Sequence, residues 1–392
     1  MAPMNDASVG VYVHVPFCER VCPYCDFAVV AARPLAEGLE RRYVAALCGE
    51  LAARRPAFAG RRLASLYLGG GTPSLLRAES VAEIVGAVRA AFAGEPDETT
   101  LEANPSTLER ERLPGFRAAG VSRLSVGVQS FDDTVLRRLG RAHRAEAARR
   151  TLAAARAAGF DALSLDLIFA APGQTLASFE RDLDEAVGFA PEHVSTYELT
   201  LEPGTPFARA AARGRLALAD EELALAMLER AETRLAQAGL RRYELSNYAR
   251  PGFEAVHNRR YWERAAVLGL GVGAFSTDPP AADAPFGLRR ANRRDLLGYL
   301  QCVEQGRSPE AEPPERLDAA TARGEAVFLG LRAAGVDAAR FAAEFGAPPR
   351  GFFAAQIDGL IAQELLAEDA RGGLRLTPRG RRLADHVASG FV

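Results

Sequence analysis

A short apolar run at residues 11–15 ends in a loop that carries Cys18, Cys22 and Cys25, a C-x3-C-x2-C spacing. Three thiolates on one loop can hold three corners of a cubane [4Fe–4S] cluster, since cysteine is the usual ligand of such clusters. Position 27 is Phe, so a fourth nearby thiol is missing and one iron is left open to an outside molecule. The rival reading is zinc with His14 as fourth ligand. Structural zinc takes two separated ligand pairs, and the 5 cysteines and 5 histidines hold no second pair. A disulfide framework fits no better: the cysteine count is odd, Cys48 and Cys302 are isolated, and no signal peptide leads the chain.

The loop sits in a chain of alternating strand and helix signals. Apolar runs at residues 11–15, 65–68, 99–103, 124–129, 163–169 and 194–200 read as strands. Ala-, Leu-, Arg- and Glu-rich stretches at 40–54, 80–92, 108–119, 146–158 and 176–189 read as helices between them. Such alternation predicts a parallel sheet built from β-α units. Six units suit a partial (β/α)6 TIM-type barrel, whose chemistry collects at the C-terminal ends of the strands. No G-x-G-x-x-G follows the first strand, where a dinucleotide fold would place it.

Polar residues recur at those strand ends. Gly69-Gly70-Gly71-Thr72-Pro73 follows the second strand, and its glycines would let backbone N–H groups approach a ligand closely. A plain tight turn before a capped helix is the simpler reading of that stretch alone. Glu102 ends the third strand, Gln129 the fourth, and Asp166 interrupts an apolar fifth. A carboxylate inside such a strand needs a partner, since unpaired burial is costly. Converging on one barrel mouth, these groups read as a ligand cradle.

The chain's 392 residues carry a formal charge of −2, which gives no electrostatic case for nucleic acid or an anionic membrane. All 48 basic residues are arginine, a bias that lowers the information in any one of them. No apolar run approaches the ~20 residues of a membrane span. The thiol loop without disulfide logic points to a reducing cytoplasm.

Taken in order, Y-x-H-x-P-F-C-x3-C-x-Y-C, G-G-G-T-P, E-x-N-P, G-V-Q-S-F and L-D-L-I resemble the radical S-adenosylmethionine (SAM) superfamily. Within it the chain is similar to the branch holding oxygen-independent coproporphyrinogen III oxidases and the HemW-type haem chaperones. That resemblance implies Cys18, Cys22 and Cys25 as ligands of a [4Fe–4S] cluster whose open iron takes the amino and carboxylate groups of SAM. It implies Tyr12, Tyr24, Gly70, Gly71, Thr72 and Glu102 around that SAM. Gln129, Arg141 and Asp166 correspond to residues that hold a second SAM in the oxidases. Where the family has L-I-Y-G-L-P, this chain has Leu167-Ile168-Phe169-Ala170-Ala171-Pro172, a Gly-to-Ala change that restricts the backbone.

The oxidases carry one more cysteine where this chain has Phe27, and a longer segment before the first strand. His257-Asn258-Arg259-Arg260-Tyr261-Trp262 matches the H-N-x-x-Y-W motif of the chaperone branch. A neutral imidazole can ligate haem iron, and Tyr261 and the single Trp offer aromatic surface, although ordinary packing is the bland reading of a lone His near aromatics. The resemblance therefore implies a haem chaperone, with haem held through His257, Asn258, Tyr261 and Trp262. It implies an electron donor, haem-accepting apoproteins and a homodimer as partners. Coproporphyrinogen oxidase activity is not expected; that oxidase, or a radical SAM methyltransferase, is the alternative.

The run Leu268–Ser276 is expected to line the far side of the site, and residues 278–285 to form an exposed turn. A second domain is expected over 306–392, after a barrel over 1–305. Its helices at 319–334, 338–345 and 351–363, the hairpin around Gly372-Gly373 and a last helix from about 379 read as a winged helix. Acidic residues interleave with arginine there, so a packing or lid role is expected rather than DNA binding.

Overall fold

The computed structural model describes residues 7–392. Six parallel strands stand side by side in chain order: β1 (Ser8–Val15), β2 (Arg62–Gly70), β3 (Glu98–Ala103), β4 (Arg123–Gln129), β5 (Ala162–Phe169) and β6 (His193–Glu198). Beyond β6 the short β7 (Asn247–Ala249) pairs antiparallel. On the other flank β8 (Val267–Leu270) runs parallel to β1, followed by antiparallel β9 (Phe275–Asp278) and β10 (Leu288–Ala291). The strand order is linear from edge to edge, so this is an open partial barrel.

Near-continuous burial along β1 to β5 marks strands covered on both faces, as parallel sheets require. The interruptions are informative. Apart from Arg62 at the start of β2, the positions that keep some exposure are Tyr12 in β1, Tyr67 and Gly70 in β2, Glu102 in β3, Gln129 in β4 and Asp166 in β5. Helices Glu37–Arg54, Ala78–Ala91, Thr107–Ala118, Ala145–Ala157 and Leu176–Gly188 pack the outer face. In Ala145–Ala157 the buried residues Ala145, Ala148, Leu152 and Ala155 form the single apolar stripe that a 3.6-residue period produces. Thr175 starts Leu176–Gly188 with a reciprocal capping box to Ser178.

A buried carboxylate fastens the β8–β10 arm to the barrel. Glu50 accepts from Gly271 N (2.8 Å), Asn292 Nδ2 (2.6 Å) and Tyr299 OH (2.7 Å), which satisfies a group otherwise costly to bury. Asp278 departs from the expected exposed turn. It ends β9 buried, because Arg54 (2.8 Å) and Arg290 (2.6 Å) both pair with it.

A second core gathers Val327, Leu331, Phe341, Ile357, Leu366, Leu374 and Val387. It belongs to helices Ala319–Leu331, Ala338–Phe345, Arg350–Ala362 and Ala384–Ser389 and the hairpin Leu366–Glu368 with Leu374–Leu376. Three helices followed by a β-hairpin give the winged-helix order. Arg264 and Arg289 both reach Glu325 of this unit, at 2.7 and 2.5 Å, and tie it to the barrel.

Candidate functional site

The cysteine loop is closed at its neck. Phe17–Cys18 pairs with Val30–Ala31, and Ala32 N donates to Cys18 O at 2.8 Å. His14, at the end of β1, places Nε2 2.9 Å from Ala28 O and Nδ1 3.2 Å from Tyr12 OH. Both ring nitrogens are thus engaged in shaping the loop. Inside the loop Cys25 N donates to Cys22 O at 3.1 Å, and Pro23 O accepts from Phe207 N at 2.9 Å. Tyr24 packs on Phe207 with ring centroids 6.1 Å apart.

The glycine turn after β2 is held against that neck. Gly71 N donates to Val15 O and Thr72 N to Phe17 O, both at 2.8 Å, and Gly70 N donates to Glu102 Oε2 at 3.0 Å. These amides, expected to meet a ligand, are already used within the fold. Gly70 has φ +102°, and a Cβ there would lie 2.4 Å from the His14 ring. At Gly71 a Cβ would lie 2.7 Å from Val15 O. Only glycine allows so close an approach.

One cavity of about 400 Å³ is lined by Cys18, Cys22, Tyr24 and Cys25, by Gly70, Gly71, Thr72 and Glu102, and by Gln129, Arg141, Asp166 and Asn258. Eleven of these twelve were read from the sequence for the cluster or SAM; Asn258 was read for haem. Asp166 is not bare: Ser125 Oγ donates to it at 3.2 Å, and Ser195 faces it across the β5–β6 register. Burial raises its pKa, while the bond from Ser195 and the charge of Arg123 pull it back. Arg123 also lines the cavity, with Nε only 3.8 Å from Glu98 Oε2 as its ion pair. Glu102 accepts from Tyr67 OH at 2.7 Å as well as from Gly70 N. Burial pushes its pKa up to about 7, against the hydrogen bond from Tyr67.

Sequence reasoning quoted Asn104 in a motif but gave it no role. It is the hub of the cysteine side of the cavity. Arg141 donates to Asn104 Oδ1 through Nη2 and to Cys22 Sγ through Nη1, the latter at 3.4 Å. Asn104 Nδ2 donates to Thr72 Oγ1 at 2.7 Å, and the Thr72 hydroxyl donates to Cys18 Sγ at 3.6 Å. Donors aimed at cluster-ligating sulfur raise a cluster's potential. Tyr67, Arg123, Ser125 and Ser195 were also missed. The strand period offered a signal for Tyr67, two residues before the glycine turn on the inward face.

Tyr12 does not reach the cavity wall. Its ring lies beneath it, stacked on His257 at 6.1 Å and beside Tyr67 at 6.0 Å. The H-N-x-x-Y-W residues part company in the fold, as helix Val256–Trp262 turns them to different sides. His257 is 1% exposed; Nδ1 meets Ser65 Oγ at 2.9 Å and Nε2 meets Tyr261 OH at 3.1 Å. Burial first, and the Arg260 charge second, push its pKa down to about 3, so the ring is neutral. Tyr261 is 37% exposed. Trp262 lines a separate groove of about 400 Å³ with Arg340, Phe341 and Phe345 of the C-terminal unit. The Leu268–Ser276 run lies on the other flank of β1 and contributes nothing to the central cavity wall, because β8 pairs there instead.

The donor set fits a [4Fe–4S] cluster: three thiols on one loop wall, two receiving side-chain hydrogen bonds, beside a pocket with room for a ligand of the open iron. Burial lifts the Cys18 thiol to about 11, a penalty that iron ligation would override by deprotonating it. The fold and this thiol-lined cavity define a radical SAM protein, and the Radical SAM superfamily model matches residues 12–186, with the HemN C-terminal domain model over 317–383. Heme chaperone HemW of Bacillus subtilis is 33% identical over 98% of this chain and 99% of its own length. Heme chaperone HemW of Mycobacterium tuberculosis strain H37Rv is 37% identical over 99% and 95%. The chain belongs to the heme chaperone HemW family of radical SAM proteins. Among solved structures, coproporphyrinogen III oxidase (HemN) from Escherichia coli superposes with a TM-score of 0.82 at 25% identity, covering 100% of this chain and 91% of that one. Among the described residues no helix is long and apolar enough to cross a membrane.

Proposed function

We propose that this protein is a haem chaperone of the cytoplasm, which binds haem and hands it to haem-requiring apoproteins. The observation that carries the reading is the end-to-end match to chaperones of that name, and the thiol-lined cavity supports the cofactor part of it. Cys18, Cys22 and Cys25 hold the [4Fe–4S] cluster, which supplies one-electron chemistry at the sulfonium of bound SAM. Glu102 accepts from the SAM amino group, Tyr24 packs on its adenine, and Asn104 and Arg141 keep the cysteine wall in place. Gln129, Arg141 and Asp166 form the far part of the pocket, where a second SAM is the proposed occupant.

His257 is the proposed haem ligand, with Asn258, Tyr261 and Trp262 as neighbours. In the described fold its ring nitrogens hold Ser65 and Tyr261. Iron takes one ring nitrogen, so ligation through Nε2 costs the Tyr261 bond, about 1 kcal/mol, while Nδ1 keeps Ser65. Tyr261→Phe removes that competing bond and should tighten haem binding about fivefold, whereas His257→Ala should weaken it and shift the Soret band. Spectroscopic haem titration of both variants tests the assignment; an unchanged His257→Ala titration removes that residue. Reduced, cluster-loaded protein given SAM and coproporphyrinogen III should form no protoporphyrinogen IX, and turnover would instead place it with the oxidase it superposes on.

A further inference from the structure

A further groove, of about 450 Å³, shares Arg20, Cys22, Asn104 and Arg141 with the central cavity and opens beside the stem of the cysteine loop. Its wall carries Arg20, Arg33, Arg110, Arg141, Arg144 and Arg150, against the carboxylates of Glu19 and Glu146 alone. Arginine is common in this chain, but acidic residues slightly outnumber it, 50 to 48. Six guanidinium groups against two carboxylates is thus a local reversal of the overall charge. Some are paired: Arg33 with Glu19, Arg150 with Glu146 at 2.9 Å, and Arg144 with Asp133, outside the groove, at 3.5 Å. Arg20 donates only to Gly140 O, Arg141 meets no carboxylate, and Arg110 has no side-chain partner among the described residues. His143, also on this wall, is neutral, since burial first and the Arg141 charge next push its pKa down to about 3.

We propose that this groove docks a small acidic one-electron carrier protein, which reduces the cluster through the Cys22 side. The inference rests on the cluster assignment above and names the electron donor by its surface chemistry. A positive patch steers a negative partner and fixes its orientation on encounter. The position is the second argument. Cys22 is common to both spaces, so a carrier seated in the groove stands one side chain from a cluster ligand without entering the SAM pocket. Haem is the competing occupant, since arginines suit its propionates, but no Phe, Tyr or Trp lines the groove to cover a macrocycle, and His143 Nε2 is held by Val128 O at 3.1 Å. In the step itself one electron leaves the carrier's reduced flavin or iron–sulfur centre and enters the oxidised cluster; no bond forms or breaks.

The test uses Arg110→Glu/Arg144→Glu, two positions outside the cluster and SAM contacts, with Arg110→Lys/Arg144→Lys as the charge-preserving control. Cluster-loaded protein is mixed with reduced flavodoxin, with reduced plant-type ferredoxin, and with dithionite, over a range of salt. The reversal variant should be reduced at least tenfold more slowly by one or both protein carriers at low salt, with a flattened salt dependence. Dithionite should reduce it at the wild-type rate, and the Lys variant should behave as wild type. Cluster-free protein should show the same loss of affinity for the oxidised carrier, so docking is read even if cluster assembly fails. Wild-type rates with both carriers would overturn the proposal. Equal slowing by dithionite would overturn it too, and so would weakened haem binding with carrier reduction intact.

Discussion

Replacing Glu102 by Gln should stabilise the ligand-free protein at pH 8 and cost it most of its affinity for SAM. The carboxyl is raised from 4.5 to about 7, with burial the largest cause and the Asp166 charge adding to it. A folded-state value above the unfolded one means that the folded protein binds the extra proton between those limits. Stability from this group is therefore fully present below about pH 4.5 and is lost as pH rises through about 7. At ~1.4 kcal/mol per unit the penalty at pH 8 reaches about 3 kcal/mol, and residual contact with cavity water trims it to about 2. Gln keeps one acceptor where Glu offers two, so the bond from either Tyr67 or Gly70 is lost, at about 1 kcal/mol. A net gain of about 1 kcal/mol should appear in urea midpoints at pH 8 and vanish at pH 5. SAM, titrated calorimetrically at pH 8, should bind about 10- to 100-fold more weakly, as befits one lost hydrogen bond to a charged group. A stability gain equal at both pH values, or unchanged SAM affinity, would refute the reasoning.

Cys18→Ser, Cys22→Ser or Cys25→Ser should each abolish the charge-transfer absorbance of reconstituted protein, while Cys48→Ser, on helix Glu37–Arg54, should retain it. Gly71→Ala sets a methyl against Val15 O and Phe17 O, so cluster content per chain should fall several-fold although all three cysteines remain. Ala170 sits at φ +58°, the left-handed region that favours glycine. Ala170→Gly should shift stability by less than about 1 kcal/mol, because relieved strain offsets the entropy and the lost methyl; Ala170→Val should cost more than about 2. Buried His257 resists protonation, with its pKa lowered from 6.5 to about 3. Its contribution to stability is lost as pH falls below about 6.5, so His257→Gln should flatten the decline in urea midpoint between pH 7 and 5.

The strand-end residues were legible because a covered parallel strand tolerates few polar side chains: Glu102, Gln129 and Asp166 stood out against apolar runs, and all three line the cavity. The glycine turn was legible as a close approach, with a ligand or a plain tight turn as its readings; the amides of Gly70 and Gly71 bind Glu102 and Val15. Nothing local distinguishes those partners. The H-N-x-x-Y-W run reads as one patch along the chain, yet a single helix turn sends His257 inward to Ser65 and Trp262 to the C-terminal groove.

By itself the sequence determined the β-α alternation, the cysteine triad and the identity of the polar groups at the strand ends, because periodicity and ligand spacing are local properties of the chain. The tertiary structure decided the Arg141–Asn104–Thr72 bridge between two cysteines, the aromatic layer of Tyr12, Tyr67 and His257, and the arginine groove beside Cys22. Those depend on which strands become neighbours and which side chains the pairing register brings within hydrogen-bond reach. Residues separated by 119 positions, such as Cys22 and Arg141, meet only after the sheet has formed.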